Sequence, residues 1–185
     1  MALDTSSSME GEKLQAARAA ALIFVGLLDL SPTGDQVAVV RFDADAELLS
    51  GLGADSDRIR SALDGLHTRI GTHIDAGLLT ALAELQGPRH RPSNLAVIAL
   101  LTDGIHTGSV GADRVAADNV RQAGVRLYTI GLGEDVDASA LAEMAGDDSR
   151  YFQAPDSTAL AQVYGQIART IVCPLPGGGF FGQGR

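Results

Sequence analysis

The chain has 185 residues, near the usual size of one domain, and 45% of them are hydrophobic, which is enough apolar material to close a core and excludes disorder for most of its length. Against 23 Asp and Glu stand 14 Lys and Arg, a formal charge of −9. That balance repels a phosphate backbone and excludes nucleic acid as a natural partner, whereas a divalent cation or a basic surface suits it.

Asp4 opens a polar stretch, Asp4-Thr5-Ser6-Ser7-Ser8, preceded only by Met1, Ala2 and Leu3. An apolar run from Ala19 to Leu28 follows. It is shorter than the ~20 residues that cross a bilayer. Asp4, Glu10 and Glu12 stand where a signal peptide carries basic residues. Leu14, Ala17, Ala21, Phe24, Val25 and Leu28 recur at helical spacing, so the run reads as a buried helix. No membrane insertion by this chain is expected, and cell surface and cytoplasm are both compatible with it.

Strands follow at Gln36 to Phe42, Leu95 to Thr102 and Val125 to Ile130. Two of these are apolar at nearly every residue, as parallel strands covered on both faces are. Asp43-Ala44-Asp45 leaves no room for a crossover before Ala46 to Leu49, so this connection is a hairpin. Helices are expected over Asp57 to Leu63, Ile74 to Leu85, Ala112 to Ala123, Ala138 to Met144 and Ser157 to Ile171, with Gly124 and Gly146 as stops. A last short strand covers Tyr151 to Gln153. The fold class is α/β: a Rossmann-like open, mostly parallel sheet with one antiparallel edge strand and helices on both faces.

Residues 1–172 make the expected domain. From Cys173 onward, two prolines and five glycines in thirteen residues mark a tail or linker that also carries Phe180-Phe181. As the one cysteine, Cys173 excludes an intrachain disulfide and a thiolate zinc cluster.

Three segments fall where strands give way to loops: Asp4 to Ser8, Gly71-Thr72 and Thr102-Asp103-Gly104. Ligands of open α/β sheets gather at the carboxyl ends of the strands, where strand order reverses. In D-x-S-x-S, alternate residues of an extended loop face one way, so Asp4, Ser6 and Ser8 reach one point while Thr5 and Ser7 turn elsewhere. Adding Thr72 and Asp103 gives an all-oxygen donor set with two carboxylates. This set favours magnesium, with manganese or calcium as substitutes. His73, Ile105 and His106 would lie on the rim of such a site; His67 and His90 read as surface residues. Gly131-Leu132-Gly133 lacks the third glycine of a dinucleotide loop.

At these positions the chain resembles the von Willebrand factor type A family and its metal-ion-dependent adhesion site (MIDAS). The resemblance runs in order and spacing over about residues 2 to 172, on Asp4, Ser6 and Ser8 for D-x-S-x-S, Thr72 in IGTHIDAGL and Asp103 in LLTDG. It implies a metal-binding protein-interaction module, not an enzyme, that takes a partner's Glu or Asp carboxylate. Ser7 departs from the family's usual glycine. So does the short first strand, which carries the expectation that the chain begins upstream or that the strand is clipped. Two other readings compete. One is a haloacid dehalogenase-type magnesium phosphatase, but Ser6 occupies the position of that family's second acidic residue, and the lone lysine, Lys13, reads as a helix residue with no partner there. The other is a subunit of an AAA+ ATPase or chelatase complex.

Overall fold

A computed structural model of the chain describes residues 1–172. In chain order the elements are β1 (Ala2–Asp4), α1 (Glu12–Gly26), β2 (Val37–Phe42), β3 (Ala46–Gly53), α2 (Ser56–Asp64), α3 (Ile74–Leu85), β4 (Val97–Thr102), α4 (Ala112–Gln122), β5 (Arg126–Leu132), α5 (Ala138–Ala145), β6 (Tyr151–Ala154) and α6 (Ser157–Val172). The strands form one sheet in the order β3-β2-β1-β4-β5-β6. All neighbours run parallel except the β2–β3 hairpin, so the antiparallel strand is at an edge, as the short Asp43–Asp45 connection requires. The tail or linker reading of residues 173–185 lies outside the described residues.

The two apolar faces follow from strand alternation. Leu3, Val39, Ala99, Leu101 and Ile130 pack into one core with Ala17, Phe24, Tyr164 and Ile167 of α1 and α6. Ala2, Val40, Phe42, Ile98, Leu100 and Leu127 pack into the other with Leu78, Val120 and Leu141 of α3, α4 and α5. Phe24 and Tyr164 meet at 5.4 Å between ring centroids and fix α1 against α6. On the opposite face α3 approaches β2 so closely that a Cβ at Gly77 would stand 2.6 Å from Cδ1 of Phe42. A side chain there would push the helix away from the sheet.

α1 buries one face and leaves apolar side chains on the other. Leu14, Ala17, Ala20, Ala21, Phe24 and Val25 face the core, but Ile23 and Leu27 are about half exposed. β3 extends to Gly53, beyond the expected Leu49, because its register with β2 shifts between Val37 and Val40 and so continues past a bulge. β1 is central despite its three residues: Ala2 pairs with Val40 and Leu100, and Leu3 with Arg41 and Leu101.

Candidate metal centre

β1 is flanked by β2 on one side and β4 on the other, so the chain leaves β1 and β4 at the point where strand order reverses. Asp4 ends β1, Thr102 ends β4, and Asp103 follows. All three are buried. The Asp4 carboxylate accepts from the Ser6 amide at 2.7 Å through Oδ1 and from the Thr102 hydroxyl at 2.5 Å through Oδ2. Ser6 and Ser8 share a hydrogen bond at 2.9 Å, and the Ser8 hydroxyl donates to Asp103 Oδ1 at 2.6 Å. Asp4, Ser6, Ser8 and Asp103 therefore form one connected polar chain.

The loop after β1 is not extended throughout. Ser6 is extended (φ −61°, ψ 161°), but Ser7 to Met9 form a single 3-10 turn. Alternation thus explains Asp4 and Ser6, whereas Ser8 reaches the site because the turn carries its hydroxyl back. Ser7 needs no glycine here: no non-glycine residue among those described has positive φ, so the serine is unstrained. Thr5 points away, its hydroxyl donating to the Asp43 carboxylate at 2.9 Å.

Thr72 comes from the loop before α3. That loop is tied to the β2–β3 turn, with the His73 amide donating to the Asp43 carbonyl at 2.7 Å and the Ala44 amide to the Ile70 carbonyl at 3.0 Å. Gly71 makes this closeness feasible: its φ is +89°, and a Cβ there would lie 2.8 Å from the Ala44 Cα. The result is convergence. A point one Cβ bond from Gly104 is 3.8 Å from both the Ser8 Oγ and the Thr72 Oγ1. All five oxygen-bearing residues singled out by sequence thus come to one place.

The electrostatics suit a cation. Burial lifts the Asp4 carboxyl from 3.8 to about 6; the Asp103 charge adds to the rise, while hydrogen bonds from Thr102 and Ser6 oppose it. A carboxylate held against its own preference is one that a divalent ion would relieve. The oxygens gathered here come from two carboxylates and three hydroxyls, a hard donor set that fits a divalent cation although no cluster of three or more His, Cys, Asp or Glu exists among the described residues.

Several participants carry no motif. Arg41 is 3% exposed and bridges Asp43 at 2.6 Å, Asp45 at 2.8 Å and Glu47 at 3.0 Å, which braces the turn that holds the Thr72 loop. Its position in a strand otherwise apolar was the available signal. Lys13 is the second: its ammonium lies 2.5 Å from Asp103 Oδ2, so the lone lysine is paired after all. That pairing does not rescue the phosphatase reading, because both Asp4 oxygens are engaged and Ser6 still occupies the second acidic position.

Among the rim residues, Ile105 is 61% exposed, and Ile70, two residues before Thr72, is 78% exposed. His73 and His106 face each other at 6.1 Å between ring centroids. His106 is no freely solvated side chain: Nδ1 accepts from the Ile74 amide at 3.3 Å and Nε2 lies 3.2 Å from the Ser109 carbonyl, so it pins the two loops together. His90 is not a plain surface residue either. It is half-buried, and its Nε2 has no partner among the described residues. No described helix is long and apolar enough to cross a membrane.

The sequence profile of the von Willebrand factor type A domain matches residues 1–166. Inter-alpha-trypsin inhibitor heavy chain H1 of Sus scrofa is 32% identical over 188 residues, which cover 92% of this chain and 20% of that protein. The transmembrane cell adhesion receptor mua-3 of Caenorhabditis elegans is 26% identical over 80% of this chain and 4% of its own length. The chain thus spans about a fifth or less of these relatives. Among solved structures, proximal thread matrix protein 1 from the mussel byssus, with a zinc-occupied MIDAS motif, superposes with a TM-score of 0.81 at 26% identity, over 91% of this chain and 43% of that one. The von Willebrand factor domain of the pilus tip protein Mfa5 from Porphyromonas gingivalis shares the fold, with a TM-score of 0.81 at 18% identity and 93% coverage of both chains. With the sheet order, the five converging residues and the matched profile in agreement, this chain belongs to the von Willebrand factor type A domain family.

Proposed function

We propose that the chain is a divalent-metal-dependent protein-interaction module of the adhesion type, and not a catalyst. Asp4, Ser6, Ser8, Thr72 and Asp103 would hold one magnesium ion, directly or through water, with manganese or calcium as substitutes. The ion would supply a Lewis-acidic point on the rim of the sheet. A partner's Glu or Asp carboxylate would complete its shell, since the protein offers only two anionic ligands. The carrying observation is the hydrogen-bonded chain from Asp4 through Ser6 and Ser8 to Asp103, with Thr72 Oγ1 and Ser8 Oγ both 3.8 Å from where a Gly104 Cβ would stand. The relative with a zinc-occupied MIDAS supports a divalent ion at the equivalent place, and the adhesion receptor among the relatives supports a partner-binding role.

Exposed Ile70 and Ile105 flank the polar centre, so the preferred ligand would set its carboxylate between apolar neighbours. A display library of peptides with one fixed Glu, selected in magnesium, tests this. Selected peptides should lose binding when the metal is chelated and when Glu is replaced by Gln. Binding that survives both chelator and Thr72→Ala would move recognition away from the metal face and reduce the likeness to one of fold.

A further inference from the structure

Lys13 stands in an unfavourable place for a cation. It is the second residue of α1, in the first helical turn, where the aligned peptide dipoles present their positive end and prefer an acidic side chain. It is also the one lysine of the chain. Something must compensate that placement, and the structure shows what: Nζ lies 2.5 Å from Oδ2 of Asp103, a carboxylate that is itself fully buried. Asp103 has no other positively charged partner among the described ion pairs. Its second oxygen takes the Ser8 hydroxyl.

The lysine head is not enclosed. Its side chain is 37% exposed, although Gly133 lies close enough that an added Cβ would touch Cε and Nζ at 3.9 Å. A flexible four-carbon stem that already reaches solvent can withdraw its ammonium into water without moving the helix. Asp4 has no such cation among the described residues; its oxygens are met there by neutral donors. The two carboxylates of the centre are thus unlike: one is already neutralised by the chain's own charge, the other is not.

Resting on the metal-site reading above, we propose that Lys13 is a tethered counter-ion that competes with the divalent metal for Asp103. With the ammonium in place the centre carries one net negative charge rather than two, and an arriving ion meets a positive charge a few ångströms from its ligands. The chain therefore stays folded and organised without metal, binds metal weakly, and holds it firmly only when a partner's carboxylate adds the missing anion. Lys13 couples metal occupancy to partner binding.

Two variants separate charge from shape. Magnesium titrated calorimetrically into Lys13→Gln should bind about tenfold more tightly than into the native chain, the scale expected when one unit charge is removed near a partly buried site. Lys13→Arg keeps the charge and should bind as the native chain does. In chelator, Lys13→Gln should melt below the native chain, since Asp103 loses its partner, and saturating magnesium should erase that deficit. Equal or weaker magnesium binding by Lys13→Gln would overturn the proposal and leave the ion pair a structural one. Equal tightening in Lys13→Arg would overturn it too, because charge would not be the cause. Asp4→Ala run alongside keeps the two claims apart: if it binds magnesium as the native chain does, the site reading has failed and the proposal falls with it.

Discussion

The two ends of the central strands solve the burial of polar groups differently. At the carboxyl end, Asp4, Thr102, Ser6, Ser8, Asp103 and Thr5 are hydrogen-bonded to one another or to neighbouring loops. At the amino end, the ladders of β1 with β2 and β4 start only at Val40 and Leu100, and a cavity of about 250 Å3 lies between Val37 and Ala38 on one side and Val97 to Ala99 on the other. Here, among the described residues, the Met1 amine is held by the Ala38 carbonyl at 2.8 Å, and His90 Nε2 has no partner. This cavity lies away from the five converging oxygen-bearing residues. Completed polar networks, not empty volume, distinguish the carboxyl end of this sheet.

The largest effect should come from the amino end. Burial pushes the Met1 amine down from 8.0 to about 5. A base with a lowered folded pKa contributes stability that is present above pH 8 and lost as pH falls through 5; three units correspond to about 4 kcal/mol at most. Placing three residues before Met1 turns the amine into a peptide N–H, so denaturation at pH 8 and pH 5 should show this slope in the original chain and lose it in the extended one. The extended chain should also melt higher, because strand residues would occupy the cavity. Identical slopes and melting points would show that both ends tolerate burial equally, and the contrast would fail.

At the carboxyl end the sign reverses. Asp4 has a raised pKa of about 6, so its contribution is present below pH 4 and lost as pH rises through 6. Asp4→Asn should therefore stabilise the metal-free chain at pH 7.5 by up to about 3 kcal/mol, a gap that closes by pH 4. The same variant should show no rise in melting temperature with magnesium, whereas the native chain should. A smaller effect belongs to Thr102→Val. It removes the donor on Asp4 Oδ2 and should cost about 1–3 kcal/mol in chelator, the usual penalty for a buried acceptor left unmet.

Much of this was legible in the sequence, for identifiable reasons. Continuous apolar runs such as Leu95 to Thr102 announce strands covered on both faces, and helix ends at Gly124 and Gly146 coincide with positive φ of 77° and 70°. The convergence of Asp4, Ser6, Ser8, Thr72 and Asp103 was legible because these residues fall at strand ends in a fixed order. What escaped depends on packing between distant segments. Lys13 meets Asp103 across 90 residues of sequence, a pairing that helical position does not reveal. Arg41 joins the support of the Thr72 loop only because β2 turns sharply back at Asp43. His90 reads as a surface residue in the sequence, yet it lines the cavity at the amino end of the sheet.

The central claim is that five oxygen-bearing residues at the carboxyl end hold one divalent ion. Calorimetric titration of magnesium into the native chain, Asp4→Ala and Asp103→Ala tests it most directly. One site is expected in the native chain, with binding lost in Asp4→Ala and strongly weakened in Asp103→Ala. If both variants take up magnesium as the native chain does, the metal lies elsewhere and the account of this end of the sheet is wrong.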